Sequence, residues 1–310
     1  MTPPAHCYRL FGLRVASEIE LPELFETGLD AGDGPADVTI VRGVVAAAGP
    51  QAVDGVVAAG DGATLEVPDV ARFHVVGGKT ITVSALPGTP EANVRLFLLG
   101  SASAILIYQR GLLPLHANAI EIDGRAVAFL GESGAGKSTL AAWFNDRGAR
   151  ILSDDVCVVG FGDGGGECAV PLAMPGLPRY RLWRDALERS GRDAADHPRS
   201  YFGDDKYEKF DVAVPVAKST AVPLPVAALY VLEQGEEFSV EPLVGIAATQ
   251  ALFAHSYRGG YLSVIGGQEA HWWSCVRLIQ SVPVFSAQRR WNVAAMDEQN
   301  AALLNHVQSL

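Results

Sequence analysis

Residues Gly131-Glu132-Ser133-Gly134-Ala135-Gly136-Lys137-Ser138-Thr139 satisfy the pattern G-x-x-x-x-G-K-[ST] in full. Their setting gives the pattern a mechanical meaning. The apolar run Arg125-Ala-Val-Ala-Phe-Leu130 suits a buried strand, and residues 138–147 continue as a helix that Gly148 can end. A glycine-rich loop between strand and helix turns successive backbone N–H groups inward around phosphate oxygens, and the helix N-terminus adds partial positive charge. Within such a loop Lys137 reaches the terminal phosphates and the Ser138 hydroxyl ligates Mg2+. The whole stretch from Gly131 to Thr139 is therefore expected to bind a nucleotide.

The chain has 310 residues, 49% hydrophobic and 19% charged, enough to bury a substantial core in one large or two moderate domains. A net charge of −11 argues against a general binder of nucleic acid or of anionic membranes, since both need clustered positive charge. Cys7, Cys157, Cys168 and Cys275 lack C-x-x-C spacing, so neither a zinc site nor a disulfide framework is indicated. Residues 1–10 lack the basic and apolar regions of a signal peptide, and a cytoplasmic protein with reduced thiols is expected. The most apolar stretch, 94–108, is broken by Arg95, Gly100, Ser101 and Ser103 and reads as a buried helix.

Patterning predicts an α/β chain with a smaller β-rich domain over 1–88 and a larger nucleotide-binding domain over 89–310. Strands are expected over 8–15, 37–42, 62–67, 72–76 and 80–83, the last two joined by a Gly77-Gly78 turn. An apolar helix follows over 91–109. Strands over 115–122 and 125–130 flank an Asp123-Gly124 hairpin turn, and further strands are expected over 150–153 and 226–233. Gly162 to Gly166 reads as a turn, 182–192 as a short helix, 197–208 as a polar mobile segment, and 269–281 and 293–308 as helices.

Asp154-Asp155 ends the strand that follows the loop helix. An acid in that position can serve Mg2+ opposite the loop hydroxyl, while an adjacent one accepts a proton from an attacking alcohol. His116 sits at the start of the strand pair leading to the loop, where its imidazole could orient or protonate a catalytic group. Of five lysines, Lys206 and Lys209 lie together in a polar segment that could carry a cation over the transferring phosphoryl group. Arg258, Arg289 and Arg290 are weaker candidates for adenine, phosphate or substrate contacts, and Trp272-Trp273 suits a core or an interface.

With His116, the loop and Asp154-Asp155 in this order, residues 115–159 resemble the catalytic core of the HPr kinase/phosphorylase family. That resemblance implies a fold akin to phosphoenolpyruvate carboxykinase, with ATP and Mg2+ as cofactors and a peptide or small-protein serine as acceptor. It implies Asp154 as catalytic base, Asp155 and Ser138 as metal residues, and His116 as an assistant. The family's later Glu-Ile-Arg-Gly-Leu-Gly type signature has no counterpart here. The opening Tyr8-Arg9-Leu10-Phe11-Gly12-Leu13-Arg14, with Glu20-Leu21-Pro22-Glu23-Leu24, is similar to the divergent branch found with lasso-peptide biosynthesis. That branch implies the C-terminal serine of a precursor peptide. A nucleotide-dependent switch protein and a kinase of a small-molecule alcohol remain alternatives, and a homo-oligomer is left open.

Overall fold

Alternating apolar residues in Ala71–Val76 and Thr80–Ala85 send every second side chain into a core, as a half-buried sheet requires. The computed structural model describes residues 6–26, 35–49, 52–162, 170–204 and 206–310. Among these, seven strands form the first sheet, in the spatial order His6–Leu10, Leu13–Ser17, Val38–Arg42, Thr80–Ala85, Ala71–Val76, Gly62–Val67, Val56–Ala59. The strand expected over 8–15 is a hairpin instead, because Phe11 and Gly12 both take positive φ (53° and 76°) and reverse the chain.

The apolar stretch after this sheet forms Glu91–Phe97 and Ser103–Gln109, joined by a π turn at Leu98–Ala102. Val94, Leu98, Ile105 and Ile107 pack into one core with Phe73, Val75 and Ile81 of the sheet. Val156, Val158 and Leu177 join that same core, so the helix and the first sheet are packed directly against the strands that carry the paired acids.

The second sheet is mixed, with nine strands among the described residues. Arg125–Leu130 lies at its centre, antiparallel to Ala117–Ile122 and parallel to Leu224–Gln234, which runs parallel to Val284–Arg289. Helices Lys137–Asp146 and Val293–Gln308 supply Leu140, Phe144, Leu303 and Val307 to the core on one face. Gly245–Ala254 and Gln268–Ser281 supply Leu252 and Leu278 to the core on the other, giving the layered helix–sheet–helix arrangement that buries a central strand on both sides. On the first face Phe129 stacks between Phe144 and Tyr230, with ring centroids 5.5 and 5.6 Å away.

A break in this sheet positions the site. The strand expected over 115–122 is interrupted at His116: Leu113–Leu115 pairs with Cys157–Phe161, whereas Ala117–Ile122 pairs with Arg125–Leu130 and Arg150–Ser153. The chain crosses the same break a second time at Asp154-Asp155, between Arg150–Ser153 and Cys157–Phe161. Asp155 has φ 71°, a conformation costly for a non-glycine residue.

The segment expected as a helix over 182–192 begins as a strand. Arg179–Trp183 pairs with Lys209–Ala213 in a two-stranded ribbon, and only Arg184–Arg189 is helical. The polar segment between the two strands of this ribbon, expected to be mobile, is tied down: the Phe202 amide donates to Asn93 Oδ1 at 2.9 Å and the Ser200 amide to the Lys209 carbonyl at 2.8 Å. The turn expected over Gly162 to Gly166 lies, beyond Gly162 itself, outside the described residues.

Candidate active site

The loop closes at the N-terminus of Lys137–Asp146. Gly136 caps this helix at φ 80°, and Gly131 turns at φ 149° with the Leu232 carbonyl 2.9 Å from where a Cβ would stand. Both positions favour glycine for backbone reasons. Lys137 is buried, and its ammonium donates to the carbonyls of Gly131 (2.6 Å) and Glu132 (3.0 Å) and to His116 Nε2 (3.1 Å). Burial lowers its pKa to about 8, against the raising effect of Asp155 and Asp154.

His116 is held from three directions. Its amide donates to the His255 carbonyl at 2.7 Å, and its Nδ1 lies 3.1 Å from the Asp155 carbonyl. With Lys137 donating to Nε2, these partners assign the proton to Nδ1. Burial, then the Lys137 charge, lowers the imidazole pKa, so the ring is neutral at pH 7.

The paired acids diverge. Asp154 is 4% exposed, and both of its oxygens are engaged: Oδ1 accepts from the Ser138 hydroxyl at 2.9 Å and Oδ2 from the Arg181 amide at 2.9 Å. Burial and the adjacent Asp155 charge raise its pKa. Burial would raise Asp155 as well, but Arg181, His116, Lys209 and Lys137 outweigh it and hold the carboxyl down at about 2. The Arg181 guanidinium pairs directly with Asp155 Oδ2.

Two cavities meet here. One of about 390 Å³ is lined by loop residues from Ser133 to Leu140 together with Arg289, Trp291 and Asn300. The other, about 600 Å³, is lined by Leu96, Phe97, Tyr201, Tyr207, Tyr257 and Arg258 among others. His116, Ser133, Asp155, Arg181 and Lys209 line both, while Asp154 and Glu132 line only the second.

Of the two lysines named as candidates for the cation over the phosphoryl group, only Lys209 reaches this junction. It is half-buried in the ribbon beside Trp183, its Nζ 5.7 Å from the ring centroid. Lys206 is exposed in the preceding turn and lines neither cavity, because strand pairing begins only at Lys209 and draws inward that position alone. Sequence reading missed Arg181. The alternation Arg179-Tyr180-Arg181-Leu182-Trp183 was the signal, since period two puts both arginines on one face of a strand. Asn118, whose amide donates to the Lys137 carbonyl, was also missed. Of the weaker candidates, Arg258 lines the second cavity and Arg289 and Arg290 the first, whereas neither Trp272 nor Trp273 lines either.

Among the described residues no group of three or more His, Cys, Asp or Glu is arranged around a common metal position. The pair Ser138–Asp154 nevertheless suits Mg2+ carried on a nucleotide, because that ion keeps several waters and takes few protein ligands besides phosphate oxygens.

No protein-family model matches the chain, and no curated protein does. Among solved structures it is similar to the Hpr(Ser) kinase/phosphatase from Coxiella burnetii, with 14% identity, 63% of this chain and 97% of that chain covered, and a TM-score of 0.31. An overlap that loose does not establish a common fold.

Proposed function

We propose that the protein is an ATP- and Mg2+-dependent phosphotransferase whose acceptor is a serine hydroxyl of a peptide or small protein. The observation that carries this reading is the shared wall of the two cavities. A donor held by the loop and an acceptor in the second cavity would meet at His116, Asp155, Arg181 and Lys209. A nucleotide switch has no need of a second cavity bordering the phosphates.

In the proposed reaction the acceptor oxygen bonds to the terminal phosphorus of ATP, the bond from that phosphorus to the bridging oxygen breaks, and ADP leaves. The hydroxyl proton passes to a carboxylate. Two observations support exchanging the roles expected from sequence, with Asp155 as proton acceptor. Asp155 lines both cavities, whereas Asp154 lines only the second. Both Asp154 oxygens are already bonded, one of them to Ser138. Ser138 and Asp154 would hold Mg2+, which when bound neutralises phosphate charge. Lys137 and Lys209 add positive charge where the phosphoryl group is transferred, and neutral His116 holds the Lys137 ammonium in place.

The resemblance to lasso-peptide precursor kinases makes the C-terminal serine of such a peptide the first acceptor to try. A cavity of about 600 Å³ also suits a small-molecule alcohol. Incubation with labelled ATP and a panel of serine peptides, precursor peptides and metabolite alcohols tests the reading. Label should enter one acceptor class with wild type and none with Lys137→Ala. Release of inorganic phosphate without any labelled acceptor would overturn it.

A further inference from the structure

The nucleotide side of the site contains a cation that the reaction above does not use. Arg289 ends the strand Val284–Arg289 and is 8% exposed, yet among the described residues no carboxylate pairs with it. Its Nη2 donates to the Ala135 carbonyl of the loop at 2.6 Å, and its Nη1 to Asn300 Oδ1 at 3.3 Å. Its Nε has no acceptor, and neither does the buried Nδ2 of Asn300 on the last helix. Burial lowers the guanidinium to about 10, so it stays charged at neutral pH.

A buried charge without a counter-charge is strongly unfavourable, and buried donors without acceptors add to that cost. Both residues line the cavity that the loop lines. An anion entering this cavity would supply the counter-charge that Arg289 lacks. Lys137 grips the loop at Gly131 and Glu132, while Arg289 grips it at Ala135 and approaches Gly136, where an added Cβ would lie 3.2 Å from Nη2. Two cations thus hold different parts of one anion cradle. Neighbouring Arg290 also lines this cavity, but it is exposed and its Nε donates to the Glu236 carbonyl.

We propose that Arg289 and Asn300 form a second anion-binding element of the nucleotide site, with the guanidinium supplying counter-charge to the phosphate chain of a nucleoside di- or triphosphate and Asn300 orienting it. This rests on the phosphotransferase reading only in taking the ligand to be a nucleotide.

Calorimetric titration of the full chain with ADP and ATP, alongside thermal melting without nucleotide, tests the element. Arg289→Met should weaken both nucleotides by roughly thirtyfold, the worth of a charge-assisted contact, with partial rescue in Arg289→Lys. Asn300→Asp should supply the counter-charge from within the chain, raising the melting temperature while weakening ADP by at least about tenfold. A residue that only braces the loop would leave ADP affinity unchanged in Asn300→Asp, and that result overturns the proposal even if Arg289→Met does not fold. If wild type binds nucleotide and both variants bind it equally well, the element is refuted and the phosphotransferase reading stands. If wild type binds no nucleotide, both fall.

Discussion

The Ser138 hydroxyl donates a 2.9 Å hydrogen bond to Oδ1 of Asp154, tying the first turn of the loop helix to the end of a strand two positions away in the sheet. This bond separates two chemically identical neighbours. Asp154 is committed to the loop, and Asp155, turned by its positive φ, faces Arg181, His116 and both cavities.

Substituting each acid in turn should therefore give different phenotypes. Asp155→Asn is expected to slow transfer by about 10²- to 10⁴-fold, with ADP affinity changed less than about threefold. Asp154→Asn should instead weaken Mg2+-dependent nucleotide binding by about tenfold. Single-turnover rates and titrations with and without Mg2+ separate the two, and wild-type transfer by Asp155→Asn would return the base to Asp154.

Lys209→Ala should cost about 10²- to 10³-fold in transfer, the scale seen when one donor to a developing charge is removed. Lys206→Ala, a change at an exposed turn, should stay within about twofold. Comparable losses in the two variants would show that the ribbon does not select between the lysines.

Lys137 titrates near pH 8 in the nucleotide-free protein. Phosphate binding favours its charged form, so binding takes up a proton once the pH exceeds that value. ADP affinity is then expected to fall by about tenfold per pH unit above pH 8 and to be insensitive to this group below it. Lys137→Arg stays charged and should flatten the profile, whatever its absolute affinity. Titrations from pH 6.5 to 9.5 in both proteins check this, and parallel slopes would rule out the lysine.

Phe129 has no exposed surface and lies between Phe144 of the loop helix and Tyr230 of the adjacent strand. Phe129→Ala should lower unfolding free energy by about 3–5 kcal/mol, measured by urea denaturation. The loop begins two residues later, so the same variant should lose nucleotide affinity before it loses the fold.

Several parts of this arrangement are legible along the chain. Arg125–Leu130, the loop, and the helix after it follow from a five-residue apolar run, a glycine pattern and helical spacing, each a property of adjacent residues. The C-terminal helix over Val293–Gln308 is read from the same kind of spacing. The ribbon Arg179–Trp183 with Lys209–Ala213 is not legible, because its strands are paired across the intervening helix and polar segment. Arg181 therefore reads in sequence as one basic residue in a proline-containing stretch, although it contacts both acids in the fold. Arg289 is likewise distant from the loop in sequence and meets it, with Asn300 behind it, only through strand order and helix docking.

The sequence alone determined that a glycine-rich loop would sit between a buried strand and a helix, with paired acids ending a later strand. Backbone conformation in a glycine-rich loop and side-chain direction in a regular element depend on neighbours within a few residues. Only the tertiary structure decided which acid faces the cavities, which lysine joins it, and that Arg181 and Arg289 attend the site. Those choices depend on where the sheet breaks and which distant strands pair, since charge and burial at one point are set by every element that converges there.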